Sequence, residues 1–300
     1  MASKQMGPVE WGLLLGLSAQ WSATFFFVEI GLREVGPFWL VFGRVAFGAA
    51  TLWILVFATG AVRPKTARDW RDLAVMGLLN NAIPFTLIFW GQVHITAGLA
   101  SILNATTPIF GVIVAHLMLA DEKASPLKGL GVLFGLAGVV VLIGPDALEG
   151  LSGSLWGQIA VIGAAVSYAL AGSFGRRLGR FAPPVAAAGM LTCSTVMMLP
   201  VALIAEGVPQ AMPGWATWGS IVVLGVAGSG VAYILYFQIL ERAGATNLLL
   251  VTFLIPPGAI LLGVLFLDET LMMSSILGLV LILIGLACVD GRIFRRKVRT

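Results

Sequence analysis

Long apolar runs separated by short polar breaks extend along the whole chain. Each run is continuous and close to the roughly 20 apolar residues that one helix needs to cross the membrane. A barrel strand would be about half as long and would alternate apolar with polar positions. The pattern predicts an all-α integral membrane protein with ten transmembrane helices. The runs cover about residues 9–30, 37–59, 72–92, 96–119, 127–144, 154–174, 183–205, 215–240, 245–267 and 275–290.

The composition supports this class. Of 300 residues, 59% are hydrophobic and 11% are charged, whereas soluble domains contain about 25% charged residues. This composition argues against soluble enzymes, nucleic-acid-binding proteins and disordered scaffolds. The two cysteines, Cys193 and Cys288, lie inside apolar runs, where a disulfide framework or a metal site lacks further ligands. We therefore expect both to be packing residues, with no metal and no cofactor.

The basic residues predict an orientation. If the N-terminus is cytoplasmic, sixteen of the eighteen basic residues fall on cytoplasmic segments, Arg33 falls on the opposite side and Arg44 lies within a span. Lys and Arg concentrate on the cytoplasmic side of membrane proteins. The distribution therefore predicts that both termini are cytoplasmic.

Several residue pairs recur at nearly one spacing, which predicts two five-helix units, residues 1–148 and 149–300. Because five is odd, the second unit enters the membrane from the other side, which gives two inverted repeats around a central cavity. Secondary transporters have this architecture, with the substrate near the midplane. The pairs, at offsets of 145 to 148, are Gly131 with Gly278, Gly138 with Gly285, Asp121-Glu122 with Asp268-Glu269, Trp11-Gly12 with Trp156-Gly157, and Pro108 with Pro256.

The sequence resembles the EamA branch of the drug/metabolite transporter superfamily over nearly its whole length. The features that carry the resemblance are Trp21-Ser22, Arg44 in the segment GRVAFG, the stretch from Ala97 through Pro108 to Asp121-Glu122, the helix with Gly131 and Gly138, and the second stretch from Ala245 through Pro256 to Asp268-Glu269. Where the family usually has Gly-Glu, this chain has Asp-Glu.

Within the branch, the sequence is most similar to the YddG-type bacterial amino-acid exporters. The resemblance implies a transporter of the bacterial inner membrane and not an enzyme. It implies export of small neutral metabolites, aromatic and other neutral amino acids among them, by alternating access. The alternative cargo is another metabolite, such as a sugar phosphate, a nucleotide sugar or a cationic drug.

Polar and aromatic side chains inside the spans are candidates for the substrate site, because an unsatisfied polar group in hydrocarbon is costly. Together they suggest a cavity for a zwitterion with a flat side chain. Each residue alone could instead form an ordinary hydrogen bond between helices. The candidates are Gln20, Trp21 and Ser22 in the first span, Asn80 and Asn81 in the third, Tyr168 in the sixth, and Tyr233 and Tyr236 in the eighth.

Prolines interrupt corresponding spans of the two halves. Pro108 and Pro256 cannot donate to the carbonyl four residues earlier, which frees the backbone oxygens of Asn104 and Thr252. Paired interruptions of this kind point to a transporter site, and the alternative is a simple packing kink. We expect the two oxygens to accept from the ammonium of a substrate.

Charged residues inside the spans are few. Glu29 and Arg44 lie towards the external ends of the first two spans, where we expect them to pair with each other or to reach the interface. No acidic residue lies in the middle of any span, which argues against proton-driven export of cationic drugs. Dianionic cargo would require more basic residues than the single Arg44.

The remaining expectations concern partners. Trp53 has apolar neighbours and is predicted to face lipid. The spacing of Gly131 and Gly135 favours close helix packing within one chain over a dimer seam, so we expect a monomer rather than a dimer. The expected partners are a small-molecule substrate and the lipid bilayer, without nucleic acid.

Overall fold

The computed structural model describes residues 6–118, 125–148, 153–248 and 250–290, and nearly all of them are helical. Seven helices in these ranges are long and apolar enough to cross a membrane, and three shorter ones are also apolar. The prediction of an all-helical membrane protein is confirmed. The helices are α1 (Pro8–Gly31), α2 (Pro37–Ala58), α3 (Ala67–Gln92), α4 (Ala97–Met118), α5 (Pro126–Leu148), α6 (Gly153–Leu178), α7 (Pro183–Glu206), α8 (Trp215–Ala243), α9 (Val251–Phe266) and α10 (Met273–Asp290).

The ends of the helices follow local chemistry. Pro37 and Pro183 occupy the first turns of α2 and α7, where a missing N–H costs nothing. The Thr66 hydroxyl caps α3 by accepting from the Asp69 amide at 3.1 Å. Gly207 terminates α7 with φ of 72°, a conformation that favours glycine. The helix bounds therefore lie within a few residues of most of the apolar runs.

Three helices depart from regular α geometry in their interiors. Turns of π-helix occupy Leu78–Ala82 in α3 and Val226–Val231 in α8. Helix α4 is interrupted between Asn104 and Thr107, whereas α9 stays α-helical through Pro256 and Pro257. Such departures often mark functional positions in a helix.

Packing joins helices that are distant in sequence. Helix α1 packs against α8 and α9, α6 packs against α3 and α4, α2 packs against α7, and α5 packs against α10. The contact of α5 with α10 depends on glycine, because a β-carbon at Gly131 would lie 2.6 Å from the carbonyl oxygen of Gly285. In the structure Gly131 thus serves packing within the chain.

Candidate substrate cavity

A cavity of about 750 Å³ lies between the helices, which is a usual size for a small-molecule site. Eight helices contribute to its wall, whereas α5 and α10 contribute none of the described wall residues. Seven of the predicted site residues lie on this wall, and they come from both halves of the chain. They are Trp21, Asn80, Asn104, Tyr168, Tyr233, Tyr236 and Thr252.

The structure places the other three candidates elsewhere. The Ser22 hydroxyl donates to the backbone oxygen of Ile255 at 2.9 Å, and Gln20 lies on a separate cavity of about 270 Å³. Asn81 is completely buried and its amide donates to the Ser194 hydroxyl at 3.3 Å. Successive helix residues point about 100° apart, so neighbours of a wall residue face other helices.

Aromatic rings form one part of the wall. The Trp21 ring lies 6.2 Å from the Tyr236 ring, and Tyr236 lies 5.2 Å from Phe237 in an edge-to-face arrangement. The Asn80 amide donates to the Tyr233 hydroxyl at 2.8 Å, which holds that ring in place. These rings offer a flat apolar surface to a ligand.

The interruption of α4 presents an acceptor different from the predicted one. The backbone oxygen of Asn104 accepts from the Thr107 hydroxyl at 2.7 Å, so it is already engaged. The side-chain oxygen Oδ1 of Asn104 is buried and has no hydrogen-bond partner in the described part of the chain. At this position the side chain therefore offers the open acceptor, rather than the backbone.

Arg44 lies on the cavity wall, although its place in the sequence predicted another role. Its side chain is buried, with 6% exposed, and its Nε donates to the Ser229 hydroxyl at 3.1 Å. The guanidinium carbon lies 3.8 Å from the centre of the Phe85 ring. The expected pair with Glu29 is absent among the described residues, and Oε2 of Glu29 is buried without a hydrogen-bond partner there. The signal for Arg44 was its position as the single basic residue within an apolar run.

The prediction for Trp53 was wrong. Its indole nitrogen donates to the Thr192 hydroxyl at 2.8 Å, which links α2 to α7. Thr192 lies in an apolar segment of another helix, and sequence neighbours could not reveal this partner. Trp53 is partly buried against the core rather than facing only lipid.

One end of the bundle is closed by carboxylates, and we call it the carboxylate end; it comprises the connections 32–36, 207–214 and 267–272. Glu206 accepts from the Phe38 and Trp39 amides at 2.9 and 3.1 Å. Glu269 accepts from the amides of residues 97 and 98 at 2.7 and 3.0 Å. Glu34 accepts from the Gly214 amide at 2.7 Å. No described residue of these connections lies on the cavity wall.

The opposite end, which we call the basic end, comprises the connections 59–66 and 179–182 and the last turn of α6. Arg180 pairs there with Asp69 at 3.1 Å and with Asp72 at 2.8 Å. The cavity wall continues to Gly179 and Pro183, which are exposed. The cavity therefore opens at the basic end.

The fold and the cavity define a class, a helical membrane protein with a central cavity that opens at one end. The EamA-like transporter family matches residues 10–144 and again residues 155–289. The chain belongs to this family, as the resemblance implied.

Individual relatives are similar over most of their length. The uncharacterized transporter YoaV of Bacillus subtilis is 25% identical over 95% of this chain and 98% of its own. The uncharacterized inner membrane transporter YedA of Escherichia coli K12 is 26% identical over 90% of this chain and 87% of its own. A Streptantibioticus cattleyicolor protein named "Probable terminal-alkyne amino-acid exporter" is 25% identical over 96% of this chain and 95% of its own.

The fold also has a counterpart of known structure. A crystal structure of a protein with 21% sequence identity covers 97% of this chain and 99% of its own, with a TM-score of 0.69. That likeness concerns the fold alone. The family and the named relatives are transporters rather than enzymes, which confirms that prediction.

Proposed function

We propose that this protein is a secondary transporter of the bacterial inner membrane that exports small neutral metabolites, aromatic and other neutral amino acids above all. The observation that carries the proposal is the composition of the cavity wall. It combines an aromatic cluster with polar groups and contains a single charged side chain, Arg44, among its described residues. A wall of this kind suits a molecule with a flat apolar group and little net charge.

The wall disfavours the alternative cargoes. A sugar phosphate or nucleotide sugar carries two negative charges, which would call for several Lys or Arg side chains. A cationic drug would call for a carboxylate, and the described wall has none. The name of the Streptantibioticus cattleyicolor relative adds support for amino-acid export.

Alternating access between two inverted repeats is part of the proposal. In the two units, α1 corresponds to α6 and α4 corresponds to α9. The contact of α1 with α9 therefore corresponds to the contact of α6 with α4, and both contacts occur. The π-helical turns begin at Leu78 and Val226, which are 148 residues apart. The glycine contact of Gly131 with Gly285 is matched by that of Gly138 with Gly278. These correspondences support units 1–148 and 149–300.

The proposed orientation follows the charges. The basic end carries Arg63, Arg176, Arg177 and Arg180, so it is assigned to the cytoplasm. The cavity then opens to the cytoplasm, as an exporter loading its cargo requires. Lys4, the pair Asp121-Glu122 and the basic segment 291–300 lie outside the described residues.

Uptake into proteoliposomes tests the cargo. Labelled phenylalanine should accumulate faster than in protein-free liposomes, whereas a sugar phosphate and a quaternary amine should not. Replacing Trp21 by Ala should weaken uptake of phenylalanine by about tenfold, since an aromatic contact contributes about 0.5 to 1.5 kcal/mol beyond its buried area. Uptake of threonine should be spared.

The matched control is Trp215→Ala, because Trp215 is 92% exposed and lies outside the cavity wall. It should leave the ratio of phenylalanine to threonine uptake unchanged. Equal losses for both substrates in Trp21→Ala would contradict the aromatic site. Preference for the sugar phosphate or the amine would contradict the proposed cargo.

A further inference from the structure

Among the residues that the structure describes, one cation in the interior of the bundle has no counter-ion. Arg44 is buried on the cavity wall, and a guanidinium carries five N–H donors. One of them, on Nε, bonds to Ser229. In the described part of the chain Arg44 forms no ion pair with a carboxylate. Buried charges in proteins are normally paired, and intramembrane cations commonly mark a substrate pathway.

The neighbours of Arg44 position the guanidinium but do not neutralise it. The Phe85 ring lies 3.8 Å from the guanidinium carbon and the Phe89 ring lies 5.7 Å away. An aromatic face attracts a cation, yet it supplies no negative charge. Stacking and the bond to Ser229 together fix the plane of the group. Its terminal nitrogens have no hydrogen-bond partner among the residues that the structure describes, which leaves them for an anion.

We propose that Arg44 binds the carboxylate of the transported molecule, so that the cargo is a small monocarboxylate, an α-amino acid included. The inference rests on the proposed transport function. A planar guanidinium matches a carboxylate through two parallel hydrogen bonds, and one buried cation balances one negative charge. The buried Oδ1 of Asn104, on the same wall, is an acceptor suited to the ammonium of an amino acid.

A structural role predicts a different behaviour. If Arg44 served only to connect α2 with α8 through Ser229, its loss would weaken every ligand alike. If it binds a carboxylate, its loss weakens acids and spares their amides. Pairs of acid and amide therefore separate the two roles.

The experiment compares 3-phenylpropanoate with 3-phenylpropanamide, and phenylalanine with phenylalaninamide. Each is measured as a ligand that raises the Tm of the purified protein and as a competitor of labelled phenylalanine uptake. The wild type should bind each acid at least tenfold more tightly than its amide. The preference should fall to about one in Arg44→Gln and should be intermediate in Arg44→Lys, which keeps the charge without the planar fork.

The matched control is Trp53→Phe, which deletes the hydrogen bond to Thr192 from the same helix α2 and lies outside the wall. It should keep the wild-type preference. Equal binding of acid and amide by the wild type would overturn the proposal, as would an unchanged preference in Arg44→Gln. If Arg44→Gln does not fold, the proposal is tested by the ratio of acid to amide affinity in the wild type and in Arg44→Lys. Acid-selective Tm shifts without any amino-acid uptake would refute the transport proposal and leave the carboxylate site standing.

Discussion

The two ends of the bundle are held by different interactions. At the carboxylate end, three glutamates bind backbone amides at or just before the first turns of α2, α4 and α8. At the basic end, Arg180 pairs with two aspartates of α3, on one side of the cavity mouth. The first end is closed and the second is open.

The contacts at the two ends differ in the groups that they join: carboxylates with backbone amides at one end, and side chains of opposite charge at the other. The first N–H groups of a helix have no partner within the helix, and the N-terminus carries partial positive charge. A carboxylate placed there forms charge-assisted hydrogen bonds, which are stronger than neutral ones. Ion pairs between side chains at the surface contribute about 0 to 1 kcal/mol, and the Arg180 side chain is 37% exposed although that of Asp72 is buried. In the proposed alternating-access cycle, opening of the cavity at the carboxylate end therefore requires the release of glutamates from helix ends.

The largest effect is expected for Glu269→Gln. Hydrogen bonds to a charged group contribute roughly 1.5 to 3 kcal/mol, so loss of the charge should raise the population open at the carboxylate end by at least about tenfold. The measurement is labelling of the thiol in Thr107→Cys, at a partly exposed wall position in the middle of α4. Intact cells and inverted vesicles are each treated with a membrane-impermeant thiol reagent, in a variant with Cys193 and Cys288 replaced by Ser.

The experiment has two controls, one for the direction of opening and one for the basic end. Labelling of the otherwise unchanged protein should be slow in cells and fast in inverted vesicles. The reason is that the cavity opens at the basic end, which is assigned to the cytoplasm and which inverted vesicles expose to the reagent. Arg180→Gln breaks the ion pairs with Asp69 and Asp72 and should leave labelling in cells unchanged. If Arg180→Gln accelerates it as much as Glu269→Gln does, the two ends do not differ as described.

A smaller effect is expected for Glu206→Gln. The Trp39 indole nitrogen donates to the backbone oxygen of Gly207 at 2.9 Å, so one link between α2 and the end of α7 survives. We expect labelling of Thr107→Cys in cells to rise by about threefold, a fraction of the contribution of one charged hydrogen bond. The double variant Glu206→Gln with Trp39→Phe should rise further. An effect of Glu206→Gln equal to that of Glu269→Gln would show that the indole contributes nothing.

The smallest effect is expected from Glu34, and it depends on pH. The hydrogen bond from the Gly214 amide, followed by that of the Thr217 side chain, holds the pKa of Glu34 below its usual 4.5. A lowered carboxyl pKa stabilises the fold above the usual value, and this contribution is lost as the pH falls through the lowered pKa. The Tm difference between wild type and Glu34→Gln should be small but positive at pH 7 and should shrink to zero below that pKa. A difference that is constant with pH would contradict this.

The sequence predicts helix positions well because hydrocarbon imposes the same length and apolarity on every span. It predicts α1 and α2 to within one residue at each end. The predicted start of α9 is less accurate. The span was expected to begin at residue 245, whereas α9 begins at Val251 and one separate helical turn, Ala245–Leu248, precedes it. Apolar composition does not distinguish a continuous helix from a divided one.

The site was less predictable because the composition of a span does not determine which way each of its side chains points. Trp21 and Ser22 are adjacent, yet Trp21 lies on the wall and Ser22 bonds to α9. Arg44 was expected to pair with Glu29 or to reach the interface, and only the packed structure shows it stacked on Phe85. The contacts of the carboxylate end join residues about 170 positions apart, such as Glu206 with Phe38, which no local pattern reveals.

The glutamates at helix ends also bear on how this end tolerates mutation. One partner of each contact is a backbone amide, which every residue except proline provides. Phe38 and Ala97 supply only their backbone amides to the contact, so the loss of their side chains does not by itself remove it, whereas the loss of the Glu206 or Glu269 side chain does. A β-carbon at Gly98 would lie 2.9 Å from Oε2 of Glu269, so that position also resists change. In a mutational scan, the glutamates and this glycine should be intolerant, while the residues that donate beside them should reject proline most strongly.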